Sequence, residues 1–323
     1  MFIKKMLLIL PLLLCAKASA QGWADQNGPT SGVTNIDLEA ASGSSPSFTF
    51  ISYSYYDDAV YSGLIDSISG STLTLDGFTG TDLEDPAFED GDLTQSSYLL
   101  RLVDGNADGN ADLSSTVNSS VFAVLSNVGN EITINLPADE ISTYFITGDS
   151  IQIIKANTLD SVFGSGEDFV GLSGPPSSGD NVLIWTTSGW KTYFHYNDKW
   201  QTFGTRADQK YTIVYPDEGM VYVRKGGALT LSFSGYISHT RNGPAVMSYI
   251  PGGGGKFLMS NPFPISQTIG QLIDTSSNWL SGSNINQADQ LLFWSQSTWT
   301  TYYHNGSDWI NFNTSAVDDR SVE

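Results

Sequence analysis

One run of oxygen-bearing side chains is the best candidate in this sequence for a metal site. Five residues fit positions one, three, five, seven and nine of an EF-hand-like loop: Asp104, Asn106, Asp108, Asn110 and Asp112. Hard cations such as calcium bind through six to eight oxygens. The closing bidentate carboxylate is missing, because Ser115 stands at position twelve. The pattern therefore has two interpretations, a calcium loop and a polar hairpin tip rich in turn formers, and the second is the simpler one.

An aromatic repeat supplies the second set of candidate residues. Residues 183–203 align without a gap to residues 292–312, at an offset of 109 throughout. Exposed tryptophan and tyrosine rings can stack on sugar rings, so the repeat suggests a carbohydrate-binding surface. The candidate ligand-binding residues are Trp190, Tyr193, Trp200, Trp299, Tyr302 and Trp309. The alternative, which the pattern favours, is a core with cross-strand aromatic pairs.

Catalytic motifs are weak throughout the chain. Gly148-Asp-Ser-Ile151 imitates the nucleophile block of an esterase family, but no histidine follows an aspartate by three residues. A serine without its base is not an activated nucleophile, so the string is better interpreted as a turn that enters a strand. A glycosidase needs only two carboxylates, and the chain has thirty-four acidic residues. We therefore favour a non-enzymatic protein and keep a polysaccharide-acting hydrolase as the alternative.

The first twenty residues have the pattern of a signal peptide. Lys4 and Lys5 precede an apolar run over residues 6–14, and the segment ends in Ala18-Ser-Ala20. Such a pattern predicts export and cleavage after Ala20, with an extracellular, cell-surface or periplasmic location. No later segment is apolar for long enough to span a membrane as a helix. Because Cys15 is the only cysteine, the cleaved chain would have no disulfide.

The net charge of the chain restricts the classes of molecule that it can bind. The first twenty residues hold three of the fourteen basic residues and no acidic one, so residues 21–323 carry a net charge of −23. A chain this acidic repels phosphate backbones and anionic headgroups, which argues against nucleic-acid and membrane-surface partners. The negative charge is compatible with glycans, cell-surface components and cations as partners.

Short alternating runs separated by Gly, Asn, Asp and Ser predict an all-β fold. We expect short antiparallel strands in sandwich-like or barrel-like domains, with the aromatic repeat in the C-terminal half. The predicted division is a signal peptide over 1–20, an acidic β domain over 21–173, a turn-rich linker over 174–179, and a second β domain over 180–323. In that last domain, residues 211–233 predict two strands after the first aromatic copy, and the second copy lacks their counterpart. The incomplete second copy predicts a sheet edge that needs cover.

Several ordered blocks also resemble a family of secreted, duplicated, β-rich bacterial proteins of unknown function. The blocks are Asp180-Asn-Val-Leu-Ile-Trp185, Thr192-Tyr-Phe194, Tyr215-Pro-Asp-Glu-Gly219, Val221-Tyr-Val-Arg224, Asn261-Pro-Phe-Pro264 and Gln290-Leu-Leu-Phe-Trp294. The resemblance implies export and a duplicated β architecture, and it carries over no catalytic residue. Together the observations favour an exported, non-enzymatic surface, matrix or carbohydrate-contacting component. A calcium-dependent structural surface protein is a further alternative.

Overall fold

The structure of the chain is a computed structural model. The described residues are 6–10, 30–57, 59–79, 83, 96–104, 121–186, 189–215, 218–237, 256–260, 267–268, 279–295, 298–317 and 321–322. These residues are almost entirely β-strands and turns, which confirms the all-β prediction.

The strands are numbered in chain order. The first ten are β1 (Met6–Leu10), β2 (Thr30–Leu38), β3 (Ser47–Ser52), β4 (Tyr55–Tyr56), β5 (Ala59–Ser69), β6 (Thr72–Leu75), β7 (Tyr98–Asp104), β8 (Val121–Val128), β9 (Glu131–Ile134) and β10 (Ser150–Lys155). The next five are β11 (Asn181–Thr186), β12 (Gly189–Tyr196), β13 (Lys199–Thr202), β14 (Gly219–Arg224) and β15 (Leu229–Ile237). The last six are β16 (Lys256–Ser260), β17 (Gln267–Thr268), β18 (Gln290–Ser295), β19 (Thr298–His304), β20 (Trp309–Asn311) and β21 (Ser321–Val322). Two short helices are α1 (Ile141–Tyr144) and α2 (Leu159–Phe163).

Six strands form a closed barrel, in the order β10-β5-β6-β9-β8-β7. Alternate residues of each strand point to opposite faces of a sheet, and in β6 and β9 the inward positions are aliphatic. Leu73, Leu75, Ile132 and Ile134 are buried inside the barrel. Closure leaves the barrel without an exposed sheet edge, which is one way that β proteins avoid edge-to-edge pairing.

A second body packs two sheets around its own core. One sheet has the order β13-β12-β11-β14-β3, and the smaller one has the order β2-β15-β4. Helix α2 lies between them, with Leu159 and Phe163 fully buried. Thr158 starts this helix, because its side chain accepts from the Ser161 N–H while the Ser161 side chain accepts from the Thr158 N–H. This reciprocal pair satisfies two donors that the first helical turn leaves free.

The third large sheet has the order β16-β1-β18-β19-β20. Its last three strands form an antiparallel meander like β11-β12-β13. Strand β1, from the segment predicted to be a signal peptide, lies between β16 and β18 and runs parallel to both. The edge of β18 for which cover was expected is therefore paired with β1 in this structure.

Sheet pairing crosses the division that we predicted at residues 174–179. Strand β3, which precedes that division, pairs with β14, which follows it. Strands β2 and β15 pair over nine residues each, from Leu38 opposite Leu229 to Thr30 opposite Ile237. The barrel strands β5–β10 thus stand in the chain between strands of one packed body.

The stretch over 174–179, predicted as a linker, is held against the sheet. The Gly174 N–H donates to the carbonyl of His195 at 2.9 Å, and the Asn181 side chain donates to the carbonyl of Pro176 at 3.2 Å. A Cβ on Gly179 would lie 2.6 Å from the carbonyl oxygen of Gly174. Glycine is therefore required where the two ends of this turn meet.

Candidate functional site

Two tryptophans face each other at the tip of the β11–β12 hairpin. Trp185 lies directly opposite Trp190 in the strand register, one pair before the closing pair of Thr186 and Gly189. Their ring centroids are 5.0 Å apart at 85°, an edge-to-face arrangement. Such pairs contribute about 0.5–1.5 kcal/mol beyond the area they bury. The Thr186 hydroxyl also donates to the Gly189 carbonyl at 2.8 Å, so the tip is held both by aromatic contact and by hydrogen bonding.

The second meander has the same arrangement. Trp294 lies opposite Trp299, with ring centroids 4.9 Å apart. We call residues 180–203 the first aromatic unit and residues 289–312 the second aromatic unit. In the second unit, Phe50 of β3 packs against both rings, at 5.3 Å from Trp294 and 5.4 Å from Trp299. Phe50, from the sheet that contains the first aromatic unit, therefore covers the second tryptophan pair.

The first pair is more open to solvent. Trp190 is 41% exposed, and within the described ranges no third aromatic ring stacks on it or on Trp185. Tyr196 and Phe203 lie further along the same unit and are 39% and 67% exposed. Because Tyr196 follows Trp190 by six residues in one strand, both side chains project from the same face of the sheet. The first unit thus presents several aromatic surfaces on its outer face.

The other face of the first unit belongs to the core. Tyr193 and Trp200 are 2% and 1% exposed. The Trp200 indole N–H donates to the Gly164 carbonyl at 2.8 Å, and its ring packs against Phe163 and Phe169. A buried indole with its donor satisfied is a structural side chain.

The predicted ligand-binding residues therefore fall into different environments. Trp309 is buried, whereas Trp299 and Tyr302 are half-buried. Of the six residues, Trp190 is the most exposed. Tyr196 and Phe203 were not among the six. The alternation of β12 could have identified Tyr196, because it shares the strand face of Trp190.

His195 lies on the core face between Phe169 and Trp200. Its ring stacks on Phe169 with centroids 4.5 Å apart. Nε2 accepts from the Gly166 N–H at 3.1 Å, and Nδ1 lies 3.1 Å from the Ser173 hydroxyl. Burial lowers the pKa of His195 below its ordinary value of 6.5, against the weaker opposing effect of nearby carboxylates. The arrangement holds a neutral imidazole with the proton on Nδ1, a structural role rather than that of a metal ligand.

A buried carboxylate joins β11 to β14. Asp180 accepts from the Leu172 N–H at 2.8 Å, from the Tyr222 hydroxyl at 3.0 Å and from the Lys225 N–H at 2.7 Å, and it forms an ion pair with Arg224. Burial, reinforced by the charge of Asp180, raises the pKa of Tyr222 far above its ordinary value. The phenol therefore stays protonated and donates to the carboxylate.

Asp289 takes the corresponding place in the second unit. It is 1% exposed, and its carboxylate accepts from the Leu280 N–H at 2.9 Å. The backbone around it repeats too, since the Asp180 N–H donates to the Leu172 carbonyl and the Asp289 N–H donates to the Leu280 carbonyl, each at 2.8 Å. Both units thus place a buried carboxylate directly before their first strand.

The proposed calcium loop lies almost wholly outside the described residues. Asp104 ends β7, opposite Ser150 of β10, whereas Asn106, Asp108, Asn110 and Asp112 fall in the gap between residues 104 and 121. Among the residues that the structure does describe, no group of three or more His, Cys, Asp or Glu side chains could hold a metal. The calcium loop therefore stays a prediction from sequence.

The esterase-like string forms the entry to a strand, as predicted. Gly148 has φ +96°, in a turn that leads into β10. Asp149 accepts from the Ile146 N–H at 2.8 Å and so caps that turn. Ser150 is the first residue of β10, opposite Leu64 of β5.

Neither a search for membrane-spanning helices nor comparisons with known proteins point to a function or a family. No helix in the described segments is long and apolar enough to cross a bilayer. Neither a scan of protein-family models nor a search of the curated proteins or of the solved structures finds a significant match to this chain.

Proposed function

We propose that the protein is an exported, non-enzymatic β-protein that contacts neutral glycans through the outer face of its first aromatic unit. Export and removal of residues 1–20 rest on the signal-peptide pattern of the sequence. The observation that carries glycan contact is the Trp185–Trp190 pair, whose second ring is 41% exposed at a hairpin tip.

The position of this pair favours a binding role for its exposed ring. Cross-strand contact already stabilises the hairpin through one edge-to-face interaction, and this leaves part of the Trp190 surface in water. The second unit uses Phe50 to cover the equivalent rings. A sugar ring has apolar C–H faces that can take the place of such a cover on the first pair.

Charge narrows the ligand class. Residues 21–323 carry a net charge of −23, so a sulfated or uronic-acid polymer is repelled as it approaches. Neutral polysaccharides such as glucans, mannans and xylans are the class that fits.

The test is a glycan array followed by titration with the neutral oligosaccharides that bind, read by intrinsic tryptophan fluorescence. We expect Trp190→Ala to weaken binding by roughly tenfold or more, which corresponds to about 1.4 kcal/mol. Phe312→Ala is the matched control, because Phe312 is a 51% exposed aromatic side chain at the position of the second unit that matches Phe203. It should leave the affinity unchanged.

Two results would contradict the proposal. Binding that survives Trp190→Ala would place the glycan site elsewhere. Release of shorter sugars during the same incubations, dependent on one pair of carboxylates, would instead favour the hydrolase.

A further inference from the structure

Three exposed aromatic side chains of the first aromatic unit lie on one face of its sheet. Trp190 and Tyr196 both belong to β12 and point to the same side, because alternate residues of a strand share a face. The register of β12 with β13 brings Phe203 to that side as well, and its ring centroid lies 5.9 Å from that of Phe194 in β12. We call Trp190, Phe203 and Tyr196 the aromatic platform.

The two ends of the aromatic platform lie beside the two turns that flank β12. Trp190 is at the tip of the β11–β12 hairpin. Tyr196 ends β12 and lies next to the turn Asn197-Asp198, where φ is +53° and +59°. Positive φ at both central residues is typical of the tight turns that join antiparallel strands. Both ends of the platform are therefore held by hairpin turns.

The length of the aromatic platform restricts the ligands that can contact both of its ends. A strand rises by about 3.3 Å per residue, so the six residues from Trp190 to Tyr196 span about 20 Å. A disaccharide is shorter than this distance and reaches one end alone. A ligand that contacts both ends has to be a longer chain, and it has to be extended, because the strand between the two ends is extended.

The second aromatic unit has no such platform. Phe50 covers Trp299, the residue that matches Trp190. Asn305 stands at the position of Tyr196, and its side chain accepts from two backbone N–H groups of the following turn, at 2.9 and 2.7 Å. The phenol of Tyr196 is 39% exposed and makes no hydrogen bond to the described part of the chain. The two units therefore differ at both ends of the platform.

The polar side chains around the aromatic platform fit a neutral ligand rich in hydroxyl groups. On this face of β12 and β13 they are Thr192, Lys199 and Gln201, and the described residues of the face include no carboxylate. Hydroxyl and amide groups both donate and accept hydrogen bonds, and the lysine ammonium adds further donors. The face can therefore bind sugar hydroxyls at the edges of rings that stack on the aromatic side chains.

We infer that the aromatic platform binds an extended, β-linked neutral glycan chain along its length, with sugar rings stacked at both Trp190 and Tyr196. The inference rests on the proposed function and adds the shape and the length of the ligand. An α-linked glucan chain curls, so it cannot follow the platform from one end to the other.

Titration calorimetry of the exported protein with hexasaccharides tests the shape of the ligand. Cellohexaose, xylohexaose and mannohexaose are extended β-linked chains, whereas maltohexaose has the glucose units of cellohexaose in a curved α-linked chain. We expect at least one of the extended chains to bind roughly tenfold more tightly than maltohexaose. The disaccharide of that series should bind roughly tenfold more weakly than the hexasaccharide, because it reaches one end of the platform alone.

Tyr196→Ala tests the end of the platform far from Trp190. It should weaken binding of the hexasaccharide by roughly tenfold and change the affinity for the disaccharide little, because the larger Trp190 ring holds the short ligand. Tyr196→Phe is the matched control, since it keeps the ring and should keep both affinities. Thermal unfolding of each variant, with a midpoint close to that of the parent, shows that the fold is intact.

Three results would each overturn the inference: maltohexaose that binds as tightly as every extended chain, equal affinities for the disaccharide and the hexasaccharide, or a Tyr196→Ala variant that binds the hexasaccharide like the parent. In these cases the proposed function still holds if Trp190→Ala weakens glycan binding. A parent protein that binds no glycan at all would instead refute the proposed function.

Discussion

Replacing Asp180 by asparagine tests the buried link between β11 and β14. The side chain of Asp180 is 1% exposed and that of Arg224 is 11% exposed. Asparagine keeps the shape of the side chain but exchanges one acceptor oxygen for a donating amide group. That group must then face either the Lys225 N–H, which donates to Oδ1, or the three donors to Oδ2, which are the Leu172 N–H, the Tyr222 hydroxyl and the Arg224 guanidinium. The substitution also leaves the Arg224 guanidinium buried without its counter-ion.

The expected loss is large relative to the stability of a typical domain. Removing one partner of a buried ion pair costs about 3–5 kcal/mol, and since asparagine keeps one acceptor we expect about 3 kcal/mol. Native domains have a free energy of unfolding of about 5–15 kcal/mol. With a urea dependence of about 3 kcal/mol per molar, the unfolding midpoint should fall by about 1 M.

Urea unfolding followed by tryptophan fluorescence measures this shift. Asp139→Asn is the matched control, because Asp139 is exposed and its substitution should move the midpoint little. Asp180→Asn combined with Arg224→Met should recover part of the loss, since it removes the unpaired cation. A midpoint for Asp180→Asn within error of the control, or strict additivity in the double variant, would refute the reasoning.

Three further substitutions test the core face of the first unit. Because burial lowers the pKa of His195, its neutral form contributes stability that is fully present above about pH 6.5 and is lost as the pH falls towards the lowered folded-state pKa. Between pH 6.5 and 5, this effect makes the free energy of unfolding fall by up to about 1.4 kcal/mol per pH unit. His195→Gln should remove that dependence in urea titrations, and equal pH slopes of the unfolding free energy for the variant and the parent would argue against it. Gly164→Ala places a Cβ 2.2 Å from the Asp168 carbonyl oxygen at φ +76°, so it should lower the thermal midpoint more than Gly166→Ala, which has φ +57° and open space. Trp200→Phe loses a buried hydrogen bond and ring volume and should cost about 2–3 kcal/mol by urea unfolding; a loss below about 0.5 kcal/mol would contradict the assigned packing.

Local pattern was enough to predict the class of fold. Alternation over residues 72–75 and 132–136 predicts strands, and these residues lie in β6 and β9 or directly after them. The pairing of β2 with β15 could not be predicted in the same way, because the partners lie about two hundred residues apart and neither strand indicates its neighbour. The predicted division at residues 174–179 rested on a turn-rich composition, and local composition does not show which strands pair across such a stretch.

The candidate site was predictable in part. The repeat shows that Trp190 and Trp299 hold matching positions, and alternation shows that Trp190 and Tyr193 point to opposite faces. Neither the repeat nor the alternation shows which face of the strand is covered by other parts of the chain. That depends on Phe163 and Phe169, which pack over Trp200 from a segment that has no pairing signal towards β13. Phe50 over the second tryptophan pair is a similar long-range contact.

The position of the barrel within the chain has a consequence for the order of folding. Its strands run from residue 59 to residue 155, and within the described residues they pair only with one another. By contrast, β2 must wait for β15 and β3 must wait for β14, so the sandwich around them closes late. As the chain emerges during synthesis, the barrel can fold while residues 30–56 remain unpaired, so slowing the folding of the barrel should leave those early strands open to aggregation for longer.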